Sequence, residues 1–323
     1  DKGFTPASNT KILTLLNSLE TTGDSLAIAR YSFTGDTLYF QGTGNPLNLN
    51  PRFSDNRQLI DWLGQFADKI LVYVPNEPKP VKYGSGWAWD DYLYGYQLEN
   101  NALPIYGNQL TMIGPLKQAT IYPPGMKHHI YLSTDTALYI HRPFEDNVFD
   151  IHSSYDSVDL ILPLHMTDSL VVQFLSDELD RSVLLSDPFN QQYDWKEKYI
   201  FIPDSLYIEL MQNSDNFIAE QLLLTSVFGR SDSMLRAFAI RDAMERWEPF
   251  LRDTIRWVDG SGLSRYNLIT PFTIVQILDR IYDLRSYEWI KKVFAKGGQN
   301  GTIQDWYFPW VHAKTGTLSN NHN

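Results

Sequence analysis

The sequence contains no cysteine. That excludes a disulfide scaffold, a thiolate metal site and a cysteine nucleophile, and it fits export to a compartment where stray thiols are a liability. No apolar run reaches the roughly 18 residues of a membrane span, and no basic-then-apolar leader opens the chain. A location in the periplasm or cell envelope therefore requires a signal peptide outside this sequence. Positive charge is scarce. Lysine and arginine total 27 against 38 acidic residues, a net charge of -11, and phosphate backbones need a basic face, so nucleic acid is not an expected partner. The seven histidines are scattered except for His128 and His129. Adjacent residues on a strand face opposite ways, so no zinc spacing results and no metal or cofactor is expected. There is no G-x-S-x-G to support a Ser-His-Asp triad, and no internal repeat.

What remains is an ordinary globular composition, 43% hydrophobic and 20% charged, over 323 residues, enough for two or more domains. Apolar spacing predicts a helix over residues 10–19, stopped by Gly23. Short alternating runs then predict strands over 25–33, 37–42, 70–74, 129–133, 137–141 and 170–175. A helix is expected over 56–69, capped by Ser54-Asp55-Asn56. After Lys198 the pattern turns helical, over 204–212, 216–228, 233–247 and 271–283, and a last strand is expected over 311–317. The fold class is thus α+β. We divide it into a discontinuous catalytic domain, 1–24 with 196–323, and an inserted strand-rich α+β region, 25–195, with room for two subdomains.

Three short motifs carry the chemistry. In Ser8-Asn9-Thr10-Lys11 a hydroxyl and an amine sit one helical turn apart, so the amine can take the hydroxyl proton during attack. Lys11 can do so only when neutral, which burial or the charge of Lys314 would favour. Read alone, Ser8 is as well explained as a helix cap. Ser214-Asp215-Asn216 offers a proton relay at Ser214 and a side-chain amide at Asn216 for substrate and for Lys11, yet Ser-Asp-Asn is also a natural capping triplet. Lys314-Thr315-Gly316-Thr317 offers an ammonium, two hydroxyls and a glycine that allows close backbone approach, a set suited to a terminal carboxylate. The order S-x-x-K, S-D-N, K-T-G is the signature of penicillin-recognising serine acyl-enzymes.

With the segments around them, these motifs resemble the D-alanyl-D-alanine carboxypeptidase/endopeptidase family of low-molecular-mass penicillin-binding proteins, peptidase family S13 of the PBP4 or DacB type. The residues that carry the resemblance are 4–11 (FTPASNTK), 86–91 (GWAWDD), 213–220 (NSDNFIAE), 259–267 (DGSGLSRYN), 297–303 (GGQNGTI) and 313–318 (AKTGTL). The resemblance implies a penicillin-binding-protein/β-lactamase-like transpeptidase fold with a long insertion. It implies peptidoglycan stem peptides and β-lactams as ligands, and an oxyanion hole from the amides of Ser8 and Thr317. It also implies that Asp91 reads the free amine of the diamino acid, with Tyr96 and Arg265 in the same pocket. Without it, Asp91 reads as a surface acid and Arg265 as an ion-pair residue. Members of the family have further sheet residues before the first motif and after the last. Here the motifs begin at residue 8 and end at residue 317, so we expect a segment of a longer protein. Two other functions are compatible with the motifs. A β-lactamase is opposed by the long insertion and the 87–91 segment. A non-catalytic peptidoglycan-binding or β-lactam-sensing module is opposed by the joint presence of Ser8, Lys11, Ser214 and Lys314.

Overall fold

The computed structural model describes residues 2–134, 137–187, 193–231, 233–319 and 321–322. A 3-10 turn, Ala7–Thr10, runs directly into helix α1, Lys11–Thr22. Gly23, with φ +58°, ends it, because a left-handed residue leaves the helical path without a Cβ clash. Strands β1 (Ser25–Thr34) and β2 (Thr37–Gln41) follow as an antiparallel hairpin. Helix α2, Gln58–Gly64, leads to strand β3, Ile70–Tyr73, which lies parallel to β2. Val183–Leu185 and Lys196–Phe201 complete a five-stranded sheet in the order Val183–Leu185, β3, β2, β1, Lys196–Phe201.

Two three-stranded sheets fill out the middle of the chain. Gln109–Pro115 pairs with Thr120–Tyr122 and with Ser157–Pro163, and Phe149–His152 lies between Ile130–Ser133 and Tyr139–His141. Helix α3, Asp168–Leu179, packs against Val183–Leu185 and α2. The C-terminal part supplies α4 (Asp204–Met211), α5 (Asn216–Val227), α6 (Arg236–Trp247), α7 (Pro271–Leu284) and α8 (Tyr287–Val293).

Apolar burial gathers into two large clusters. One takes Phe40, Leu59, Trp62, Phe149, Phe174 and their neighbours from the middle of the chain. The other takes Leu13, Leu16, Leu210, Leu222, Trp247, Trp257 and Ile277 from α1 and the C-terminal helices, with Trp247 and Trp257 stacked at 5.3 Å. Strand β1 serves both, Leu26 on the second cluster and Ile28 on the first. Helix α5 is buried from Phe217 to Val227, its polar Glu220, Gln221, Thr225 and Ser226 included, which explains why it has no exposed polar stripe.

Four expectations fail, each for a local reason. Residues 170–175 are not a strand but the centre of α3: the Thr167 hydroxyl accepts the Leu170 N–H at 3.1 Å, and Val171, Phe174 and Leu175 are buried at helical spacing. A short apolar run leaves the two readings open. The 56–69 helix is shorter, because its start and its exit are used otherwise. Asn56 donates from its side chain to the Asn50 carbonyl at 2.9 Å, while Arg181 donates to the carbonyls of Leu63, Phe66, Ala67 and Lys69. Ser54-Asp55-Asn56 consequently caps nothing: the flanking residue is Arg57, with no side-chain cap. Finally, 311–317 is not one strand. Only His312–Ala313 and Thr317–Leu318 pair, in separate two-stranded ribbons, because Lys314 turns inward between them.

Candidate active site

The first motif is built by packing at both ends of its turn. Ala7, fully buried with φ +48°, gives its carbonyl to the Thr10 hydroxyl at 2.9 Å. Upstream, Phe4 and Ile269 exchange both backbone hydrogen bonds at 3.0 Å, tying this stretch to the helical block. Ser8 then faces a cavity of about 450 Å³ lined by Ser8, Ser214, Thr302, Trp306, Thr315, Thr317 and His322. Lys11, buried at the start of α1, donates from Nζ to Ser8 Oγ at 3.0 Å, to Asn216 Oδ1 at 2.7 Å and to the Ser261 carbonyl at 2.7 Å. Three acceptors match the three protons of an ammonium. When one is lost, the lone pair lies on the hydrogen-bond line to Ser8.

The second motif reaches the same point from α5. Asp215 is indeed the helix cap, accepting the Ile218 N–H at 2.9 Å, and it pairs with Arg52 at 3.2 Å. The capping reading of this triplet therefore holds for Asp215, while Ser214 and Asn216 contact the two lysines. Ser214, with φ +60°, sits in a conformation that disfavours residues bearing a Cβ, a strain of order 1 kcal/mol held by its surroundings. Asn216 gives its oxygen to Lys11 and its Nδ2 to the Tyr96 carbonyl at 2.9 Å. The amide expected to hold substrate is thus already engaged with the inserted region.

Lys314 lies across the cavity, almost buried, donating to Ser214 Oγ at 2.8 Å and to the Thr315 carbonyl at 2.8 Å. A Cβ on Gly316 would stand 2.4 Å from the Pro6 carbonyl oxygen and 3.2 Å from the Asn9 nitrogen. Glycine is required here because the chain lies directly on the Ser8 turn. Thr315 Oγ1 donates to Thr302 Oγ1 at 2.6 Å. Thr302 belongs to the 297–303 segment whose resemblance was noted without singling it out, while nothing in the sequence marked Trp306 or His322.

Burial lowers Lys11 from 10.5 to about 8, opposed by the charges of Asp215, Asp259 and Glu220. Lys314 falls to about 6, by burial first and then by repulsion from Lys11. Of the two expected causes, burial or the charge of Lys314, burial is the one that lowers Lys11. Desolvation is the largest cause at both lysines. A base must be neutral to accept a proton, so the reactivity of Ser8 rises with pH. Acylation rate measured from pH 5 to 10 should climb through a midpoint near 8, falling about tenfold per unit below it.

The remaining residues lie apart from the cavity. Asp91, in the 3-10 turn Trp89–Leu93, hydrogen-bonds the Tyr96 phenol, which burial and that bond push up to about 12. Tyr96 stacks on Tyr94 at 5.4 Å and touches the site through its carbonyl. Arg265 is exposed and donates to the Ser319 carbonyl at 2.9 Å. Asp91 and Tyr96 are thus together. Neither they nor Arg265 line the Ser8 cavity among the described residues.

A serine bonded to a lysine one turn on and a second serine bonded to a second lysine thus share one cavity on an α+β scaffold of the penicillin-binding-protein/β-lactamase-like fold. Residues 204–323 match the sequence model of the D-Ala-D-Ala carboxypeptidase 3 (S13) family. Over 133 residues the chain is 29% identical to D-alanyl-D-alanine carboxypeptidase DacB of Haemophilus influenzae, covering 38% of this chain and 27% of the relative's length. The crystal structure of penicillin binding protein 4 (dacB) from Haemophilus influenzae shares the fold, with a TM-score of 0.75 at 20% identity over 100% of this chain and 81% of that one. The same protein complexed with a novel β-lactam gives 0.70 at 19% identity with the same coverage. The chain resembles the PBP4/DacB type of S13 peptidase in its fold and, through residues 204–323, in sequence.

Proposed function

We propose that this chain carries the active site of a serine-type D-Ala-D-Ala carboxypeptidase or endopeptidase of the cell envelope, acting on peptidoglycan stem peptides and acylated by β-lactams. The observation that carries the reading is the pair of contacts Lys11 Nζ–Ser8 Oγ at 3.0 Å and Lys314 Nζ–Ser214 Oγ at 2.8 Å, with both serines on one cavity. Neutral Lys11 takes the Ser8 proton as Oγ attacks the carbonyl of the penultimate D-alanine. The amides of Ser8 and Thr317 receive the oxyanion. The tetrahedral adduct collapses to an ester on Ser8, and the leaving amine takes a proton from Ser214, which is replenished through the lysines. Lys314, with Thr315 and Thr317, binds the terminal carboxylate, and Gly316 allows the chain to lie against it. Water then attacks the ester and Lys11 accepts its proton. A β-lactam follows the first half, but its leaving amine stays tethered, so the ester persists.

In this reading Asp91, steadied by Tyr96, pairs with the free amine of the diamino acid, and Arg265 binds a neighbouring carboxylate. Among the described residues no helix is long and apolar enough to cross a membrane. Residues 1–24 with 196–323 form the catalytic part and 25–195 the insertion. The test is purified protein given a fluorescent penicillin and a stem pentapeptide. Covalent labelling together with release of D-alanine is expected. Labelling without release, but with binding of muropeptides, would instead make it a sensing module, and rapid hydrolysis of a chromogenic cephalosporin would make it a β-lactamase.

A further inference from the structure

Behind Lys11, on the side away from the cavity, the turn 259–264 is wedged between α1 and α5. Two glycines let it in: a Cβ on Gly260 would stand 2.6 Å from the Ala219 carbonyl oxygen, and one on Gly262 would stand 1.8 Å from that of Ala7. The Thr14 hydroxyl anchors the turn through the Gly260 carbonyl at 2.7 Å. The Ser261 carbonyl then accepts from Lys11 Nζ. Its own peptide group continues through the Gly262 N–H to Asp259 Oδ1 at 2.9 Å, so lysine and carboxylate sit at the two ends of one peptide dipole. The Ser261 N–H donates to Glu220 Oε1 at 2.8 Å. One residue is thus gripped on both sides by carboxylates.

Neither carboxylate has contact with solvent. Asp259, fully buried, also accepts from Asn267 Nδ2, the Ser264 N–H and Trp87 Nε1, at 2.7, 2.6 and 2.8 Å. Glu220 takes Arg236 on its second oxygen at 2.6 Å, and the guanidinium lies 5.6 Å over the Trp87 ring. The donors to Asp259 are N–H groups, while Glu220 receives the Ser261 N–H, the Ser261 side chain and Arg236, whose charge opposes the burial that pushes the Glu220 carboxyl up. Such an arrangement costs desolvation that a neutral turn would not. Its position next to the catalytic amine is what gives it a use.

We propose that Glu220 and Asp259 are positioning residues that act through the Ser261 backbone on Lys11, fixing its third acceptor and setting the pH at which the base is free. The inference rests on the reading of Ser8 and Lys11 as nucleophile and base. The charged groups facing Lys11 are Asp215 and Glu220 from α5, Asp259 from the turn and Lys314 from the opposite wall. Of these, Glu220 can be neutralised while its acceptor on Ser261 is kept, and its partner Arg236 can be neutralised separately.

The acylation rate by a fluorescent penicillin, measured from pH 5 to 10, tests this in Glu220→Gln and Arg236→Gln. Glu220→Gln removes a negative charge, which favours neutral Lys11 and should move the rising limb down by about half to one pH unit. Arg236→Gln removes the charge that opposes the burial of Glu220, so over the pH range in which Glu220 stays ionised the limb should move up. A structural defect would lower the rate at all pH values without moving the limb in opposite directions. Where Glu220→Gln alone does not fold, because Arg236 is left buried and unpaired, Arg236→Gln still decides. The double variant, with no unpaired charge, should return the limb close to the wild-type position. A wild-type limb that neither variant moves overturns the positioning role alone. Wild-type protein that forms no acyl-enzyme at any pH overturns both this role and the assignment of Ser8.

Discussion

Ser8→Ala should give a folded protein that fluorescent penicillin no longer labels. The hydroxyl makes one side-chain hydrogen bond, to Lys11 at 3.0 Å, and its deletion removes about 1 kcal/mol of stability. The chemical loss is far larger. With the nucleophile gone no ester can form, and what remains is binding and oxyanion stabilisation, so turnover should fall by roughly 10⁴- to 10⁶-fold. Gel fluorescence after incubation with the penicillin reads the first effect, D-alanine release the second, and a thermal unfolding scan shows that the fold is kept. Labelling of the variant equal to that of wild type would remove Ser8 from the mechanism.

Gly262→Ala should do the opposite and disable the site through the fold. The added Cβ would stand 1.8 Å from the Ala7 carbonyl oxygen and 2.8 Å from Thr10 Oγ1. The first of these is backbone and cannot rotate away. Gly262 also has φ +82°, a region that costs an L side chain about 1–2 kcal/mol. Overpacking adds about 1–3 kcal/mol, so the total is about 2–5 kcal/mol against a typical domain stability of about 5–15 kcal/mol. The clash displaces the very turn that carries Ser8, so acylation and stability should fall together. Penicillin labelling measures the first and urea unfolding the second. A midpoint equal to that of wild type would show that this turn is not packed on the nucleophile as described.

Much of this was legible in local sequence. The spacing of Ile12, Leu13, Leu15, Leu16 and Leu19 requires a helix, and three residues on a helix place Lys11 beside Ser8, so the 3.0 Å contact follows from neighbours in the chain. The strands expected over 25–33 and 37–42 were legible from alternation, and they form over 25–34 and 37–41. The apolar stretch 170–175 was not, since its helix depends on one hydroxyl cap and on which faces find a core. The break at Lys314 was not either, because a strand-like run bends only when an ammonium has somewhere better to go. Asp259 and Glu220 lay inside segments that looked informative without revealing why.

By itself, then, the sequence determined the inventory of the site: its two serines and two lysines, their order along the chain, and the one contact that lies within a single helical turn. Tertiary structure decided everything that joins residues far apart. Lys11 meets Asn216 across 205 residues and the Ser261 carbonyl across 250, and Lys314 meets Ser214 across 100. It also decided the reactivity of those groups. A lysine has the same side chain at any position, and only removal from water, opposed by buried carboxylates, brings Lys11 to about 8. That environment comes from α5 and the 259–264 turn closing on α1, contacts that no short-range pattern encodes.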